Sequence, residues 1–278
     1  MIRWMFILTF FISNIGISTV AHPESVFGLD KIDVCNGNNS AFQAGEILTY
    51  KIYYNWGVIW LGAGEVKFQV LETDNNYLYK AVGKSYPSYS WIFEVDDHFY
   101  SYVDKETLLP IRAKRDINED GYIIHNDIRF DQNDKYVKST LVINDKDPKV
   151  VEREFDNCMF DILSVIYSLR NIDKTGLHTG DIIPFDMMMD DEVYPLQLEY
   201  VGDVGVTDIK NLGSYKAIKI SPSVIKGRVF DKNERMQVWI SNDKNNVPLI
   251  IESPLAVGKI KVILQNYEGL RYPLNKVE

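Results

Sequence analysis

From Leu48 onward the chain places an apolar side chain at every second position: Leu48, Tyr50, Ile52, Tyr54 and Trp56. That is the period of one face of a β-sheet, because neighbouring side chains on a strand point to opposite sides. Gly57 marks a turn. The pattern then returns through Val66, Phe68 and Val70, with Glu65, Lys67 and Gln69 on the other face. Gly62 and Gly64 fall inside this second run. Glycine within a strand marks a bulge or sharp coil, so a strongly bent hairpin is expected. Further strands are predicted at 77–82, 97–103, 109–116, 122–130 and 136–143. Others follow at 182–188, 194–201, 206–209, 215–220, 235–240, 247–252 and 258–266. Polar clusters such as Asp74-Asn75-Asn76 and Glu119-Asp120-Gly121 supply the turns. Short strands at this spacing make an antiparallel sheet.

One stretch breaks the rule. Over 156–170, Met159, Ile162, Leu163, Ile166 and Leu169 recur at helical spacing, with Asp156 placed to cap the start and Gly176 beyond the end. Ile162, Leu163 and Ile166 are expected to face the sheet. The fold class is therefore mainly β: a curved antiparallel sheet or incomplete β-barrel with one amphipathic helix packed on it. Residues 42–278 form a single β-rich domain. A phrase repeats within it. Tyr102-Val103-Asp104-Lys105 leads through Leu109 to Pro110-Ile111, and Trp239-Ile240 with Asp243-Lys244 leads through Val247 to Pro248-Leu249. Either hairpins simply resemble one another, or two similar β halves, 42–150 and 177–273, flank the helix.

The N-terminus gives an address. Arg3 is followed by an apolar run from Trp4 to Ile17 and a small-residue exit at Thr19-Val20-Ala21. This is the pattern of a secretory signal peptide over 1–21, leaving a chain that starts at His22. An uncleaved anchor is the alternative, although the run falls short of the about 20 apolar residues a span needs. Residues 22–41 read as an irregular lead-in. Outside the cytoplasm the two cysteines, Cys35 and Cys158, are a candidate disulfide, the alternative being two unrelated thiols. Cys35 lies too far beyond the apolar run to be a lipid-attachment cysteine. The formal charge of −9, with no basic stripe, argues against nucleic acid and against electrostatic docking on anionic lipid.

Aromatic residues make up 13% of the chain and are concentrated enough to mark a candidate site. Tyr50, Tyr53, Tyr54, Trp56 and Trp60 fall together, and Tyr86, Tyr89, Trp91 and Phe93 form a second group. Tyr and Trp join a large apolar body to a polar tip, which suits both a core and a ligand-stacking cleft. Tyr50, Tyr54, Trp56, Trp60, Trp91 and Phe93 are the candidate ligand-binding residues. Met187-Met188-Met189 alternates faces, so the three sulfurs cannot share one ion, and adaptable packing is expected instead. Asp190-Asp191-Glu192 reads as a solvated turn. His98 and His125, each beside aspartates on separate strands, form no metal-binding motif. No metal, cofactor or catalytic residue is assigned. No nucleophile elbow, phosphate loop or Cys-x-x-Cys is present.

Phe42-Gln43-Ala44-Gly45-Glu46-Ile47-Leu48-Thr49-Tyr50 resembles the opening of an exported bacterial family, the domain of unknown function numbered 3108. Tyr53-Tyr54-Asn55-Trp56, Phe160-Asp161-Ile162-Leu163-Ser164 and Val238–Pro248 continue the likeness, as do Glu252-Ser253-Pro254 and Val257-Gly258. The resemblance implies the periplasm or outer-membrane periphery of a Gram-negative bacterium and brings no reaction with it. One hairpin type also looks like those of periplasmic lipoprotein carriers, half-barrels closed over an acyl-chain cavity. The expected function is non-catalytic binding of an amphipathic ligand: a lipid, glycolipid or envelope polymer. A structural or assembly factor that binds another envelope protein is the alternative, and an envelope hydrolase is a third.

Overall fold

The computed structural model describes residues 34–35, 37–56, 59–91, 93–223, 235–255 and 258–277, with Trp56 as backbone only. The leader at 1–21, the start at His22 and the Gly57 turn lie outside these residues. The first half of the chain is an up-and-down series: β1 (Ile47–Trp56), β2 (Ile59–Glu72), β3 (Asn76–Ser85), the short helix α1 (Pro87–Ser90), β4 (Asp96–Asp104), β5 (Pro110–Glu119), β6 (Tyr122–Asp131), β7 (Tyr136–Ile143) and β8 (Lys149–Glu154). After β9 (Met159–Phe160) and α2 (Ile162–Leu169) a second series runs through β10 (Ile182–Met189), β11 (Glu192–Ile209), β12 (Gly213–Pro222), β13 (Gln237–Ser241), β14 (Pro248–Pro254) and β15 (Lys259–Glu268). The pair Lys276–Val277, β16, adds to β12.

All these strands form one sheet. Its order runs from β8 back to β1, across to β15, and back through β14, β13, β12, β11 and β10 to β9. The two series join where β1 pairs with β15. Helix α2 touches β3 and β4 on one side and β10 on the other. In the sheet β4 and β10 stand far apart, so the sheet must curl around the helix to reach it from both sides. The curl does not close, because no ladder joins the outer strands β8 and β9.

Local chemistry accounts for the bends. The β1–β2 register shifts between Ile52 and Tyr53, where Gly64 and then Gly62 are the partners, so Ala63 is the extra residue. A Cβ on Gly64 would stand 2.4 Å from the carbonyl oxygen of Lys84, which is why glycine is needed at this close strand approach. β11 is a single strand where two were expected, and it shifts register near Gly202 and again near Gly205. The repeated phrase is also a repeated conformation. Val103 pairs with Pro110 after a register shift, and Ile240 pairs with Pro248 in the same way. Leu108 and Asn246, each two residues before the proline, both have positive φ.

Helix α2 starts later than its periodicity predicts. Met159 and Phe160 bridge in parallel to Asp186 and Met187 of β10, so Asp156 cannot be the cap. Asp161 caps instead, accepting from the backbone of Leu163 (2.9 Å) and Ser164 (3.3 Å), while Ser164 Oγ accepts from the Asp161 N–H. Leu163, Val165 and Tyr167 are buried, but Ile162 and Ile166 are only half-buried. Strand β8 was not foreseen, since Lys-Val-Val-Glu-Arg-Glu has charges on both faces; it lies at the sheet's edge, where charge blunts further pairing.

Strand direction sorts the connections onto two ends. The β1–β2, β3–β4, β5–β6, β7–β8, β10–β11 and β14–β15 connections lie at one end. The β2–β3, β4–β5, β11–β12 and β13–β14 connections lie at the other, beside the start of β1 and the end of β15.

Candidate functional site

The end beside the start of β1 is closed by a buried polar network. Glu46 and Arg170 form a two-pronged ion pair, 2.5 and 2.8 Å, with both side chains buried. Arg170 follows the last turn of α2, where its charge also suits the helix dipole. Its Nε donates to the Asn245 carbonyl (3.0 Å), and its own carbonyl accepts from Asn246 (2.6 Å). Asn245 exchanges bonds with the Tyr272 backbone, and Lys174 donates to Asn246 (2.6 Å). Phe42 lies under the network, edge-on to Tyr77, Tyr79 and Tyr167. The lead-in is therefore a plug at its tail: Asn171 Oδ1 accepts from the Ser40 and Ala41 backbones. The Cys35–Cys158 disulfide, Cα–Cα 5.7 Å, ties the same segment to the start of β9.

The aromatic candidates divide. Tyr50 is core: it is buried, its hydroxyl donates to the Pro248 carbonyl (2.9 Å), and burial pushes its pKa up. Tyr54 is also buried, against Gly258, where a Cβ would meet the Asn55 carbonyl oxygen at 2.2 Å. The side chain of Trp56 lies outside the described residues. Phe93 is half-buried. Trp60 and Trp91 are exposed, 44% and 81%, and so is Ile59 beside Trp60. All three are at the end opposite the polar network. Trp60 ends the β1–β2 hairpin, and Trp91 follows α1, which docks on that hairpin through the Tyr86 N–H to the Ala63 carbonyl (3.0 Å).

Cations lie over three rings of this end. Lys261 Nζ lies 5.5 Å from the Trp60 ring centre, and Lys51 Nζ lies 5.2 and 5.5 Å from the Tyr53 and Tyr86 rings. Lys261 pairs across strands with Tyr53, whereas Tyr50, Ile52 and Tyr54 face inward. The structure thus brings Trp60, Tyr53 and Tyr86 together on the outer face and leaves Tyr50 and Tyr54 inside.

A second polar cluster bridges the open seam. Asp190, at the β10–β11 turn, is buried and accepts from Arg115 of β5. Its carbonyl accepts from Ser139 of β7, and its N–H donates to Asn126 of β6 (3.2 Å). The expectation that this turn is solvated fails for Asp190, because the turn tucks beneath three strands of the other sheet end. Burial raises the Asp190 pKa against the pull of Arg115. Asp97 nearby is pushed up to about 7 by burial, opposed by the Asn118 N–H and by Arg115. The three methionines behave as their alternation requires: all are buried, Met188 against β5–β7 and Met187 and Met189 in the neighbouring cluster.

His98, Asp116 and His125 stand in register across β4, β5 and β6. Each imidazole has turned to a carboxylate, His98 to Asp96 and His125 to Asp116, both at 2.8 Å. Among the described residues no three such side chains converge to hold a metal. Sequence reasoning missed Glu46, Arg170, Arg115 and Asp190. The available signal was a charge closing an apolar helical run at Arg170, but partners far apart in sequence have no spacing to read.

The family model described as a protein of unknown function, DUF3108, matches residues 49–265. No curated protein sequence matches the chain. A β-barrel-like protein of another domain of unknown function, DUF1849, from Brucella abortus is similar in structure. It has TM-score 0.54 at 10% identity, over 82% of this chain and 99% of that one. A Bacteroides fragilis protein with a YmcC-like fold aligns over 84% of this chain and 99% of its own, at 11% identity and TM-score 0.32. The first likeness confirms an incomplete-barrel fold. Among the described residues no helix is long and apolar enough to cross a membrane.

Proposed function

The chain belongs to the DUF3108 family, and we propose that it is an exported, non-catalytic binding protein of the cell envelope. It takes an amphipathic ligand at the aromatic end of the half-barrel. The observation that carries this reading is the pair of exposed tryptophans, Trp60 and Trp91, with Ile59 exposed beside Trp60 and Lys261 over the Trp60 ring. Neither tryptophan is needed to fill the core. They offer flat apolar faces, with a cation at the margin of Trp60, which fits a ligand with an apolar body and a polar group. Two of the buried carboxylates are structural: Asp161 is engaged in capping α2, and Asp190 in the Arg115 pair. Export rests on the apolar leader at 1–21.

The test is a titration of purified protein with envelope glycans and with detergent-solubilised lipid whose chains are ether-linked, read by tryptophan fluorescence. Binding by wild type that is lost in Trp60→Ala and Trp91→Ala, with unchanged melting, is the expected result. Wild type that binds neither class, or variants that bind as wild type does, would refute the reading.

A further inference from the structure

Arg115 is buried on the inner face of β5 with much of its donor capacity unused. Nη2 donates to Asp190 and the guanidinium lies 5.9 Å from the Phe99 ring centre, but Nε and Nη1 have no hydrogen-bond partner among the described residues. A guanidinium carries five N–H donors, and leaving them unmade in a low-dielectric interior is costly. Beside it lies a cavity of about 10 Å³, walled by Phe99, Ile128, Leu163, Met188 and Met189. A single water is the most that this volume holds. The wall is adjustable, however. Methionine is unbranched and repacks readily. The turn carrying Asp190 is attached to β5–β7 by side chains, without a strand ladder.

We propose that this cavity is the contracted form of an acyl site. Met188, Met189 and the Asp190 turn move back to admit an acyl chain, and the ester carbonyl oxygen accepts from the free N–H groups of Arg115. The inference goes beyond the aromatic end and does not depend on it. Charge selects the ligand class. Asp190 already neutralises Arg115, and Asp161 lines the same cavity. A second carboxylate would bring uncompensated negative charge into the interior, whereas an ester carbonyl adds none. A neutral acyl ester is therefore preferred over a free fatty acid. Entry is at the seam, where the sheet is open.

The experiment uses the full chain with its disulfide intact and two fluorescent probes: a monoacylglycerol with a pyrene-labelled chain, and the corresponding free acid. The ester should bind once per chain, and about tenfold more tightly than the acid. Ala113→Leu fills the cavity from β5, and Arg115→Lys keeps a cation for Asp190 while removing the two free donors. Each should weaken ester binding about tenfold or more, while Trp60→Ala should change it less than about twofold. No ester binding by wild type would leave the cavity a water site and overturn the proposal. So would ester affinity that survives both variants, or that falls only with Trp60→Ala. Should Ala113→Leu fail to fold, Arg115→Lys and the ester-to-acid ratio on wild type decide.

Discussion

The two ends of this half-barrel are built on opposite principles. At the Glu46–Arg170 end the buried charges Glu46 and Arg170 are paired, the N-terminal segment is tucked in, and a disulfide holds the plug. At the Trp60–Trp91 end large apolar rings stand in solvent. Of the segments that carry the family likeness, Phe42–Tyr50, Phe160–Ser164 and Val238–Pro248 contribute mainly to the closed end and to the helix cap, whereas Tyr53–Trp56 and Glu252–Pro254 run to the aromatic end. The lesson is that most of the recognisable phrases of this chain specify architecture, while the two exposed tryptophans, Trp60 and Trp91, lie outside them.

Breaking the closed end should cost most. Replacing both cysteines by serine releases a cross-link of 123 residues and should lower stability by up to about 5 kcal/mol, measured by urea unfolding. A loss below about 1 kcal/mol would mean that the polar network holds the plug unaided. Arg170→Met should cost about 3–5 kcal/mol because it strands Glu46 in the interior. Adding Glu46→Leu should recover part of that loss, and failure to recover it would place the network's strength in Asn245 and Asn246.

The other half of the comparison can be sharpened by pH. Asp97, near the aromatic end, is held at about 7 in the fold against 3.8 as its ordinary value. Between these values the folded chain keeps a proton that the unfolded chain has lost. The contribution is therefore fully present below about pH 4 and is lost as pH rises through 7, by about 4 kcal/mol in all. Asp97→Asn should flatten the slope of stability between pH 5 and 8 and melt higher than wild type at pH 8. An unchanged slope would show that Asp97 is ionised in the fold. The smallest effect is expected at Trp91→Ala, within about 0.5 kcal/mol, since that ring is 81% exposed. A larger loss would make Trp91 part of the framework and weaken its candidacy as a binding surface.

Much of the fold was legible because strands with one buried face write it every second residue, as β1 and β7 do. Strand β8 was hidden because an edge strand with charges on both faces has no such period. The start of α2 was misread because Met159 fits the helical pattern and yet pairs with β10; tertiary contact overrode local periodicity there. The site was less legible still. Aromatic density gathered the exposed Trp60 and Trp91 together with the buried Tyr50 and Tyr54, since period alone cannot tell an inward ring from an outward one once a bulge intervenes at Ala63. The buried pairs Glu46–Arg170 and Arg115–Asp190 join residues 124 and 75 positions apart, and only the fold brings them into contact.

The pairing of β1 with β15 has a kinetic meaning. Ile47 faces Glu268, so the strands at the middle of the sheet come from opposite ends of the described chain. The first series can form its hairpins early, because each is local. Joining it to the second series requires closing a loop of more than two hundred residues, an entropic step that rewards nothing until β15 is available. A chain emerging N-terminus first would therefore stay open along its central line until almost all of it had arrived. For the exported protein proposed above, that delay keeps the chain threadable.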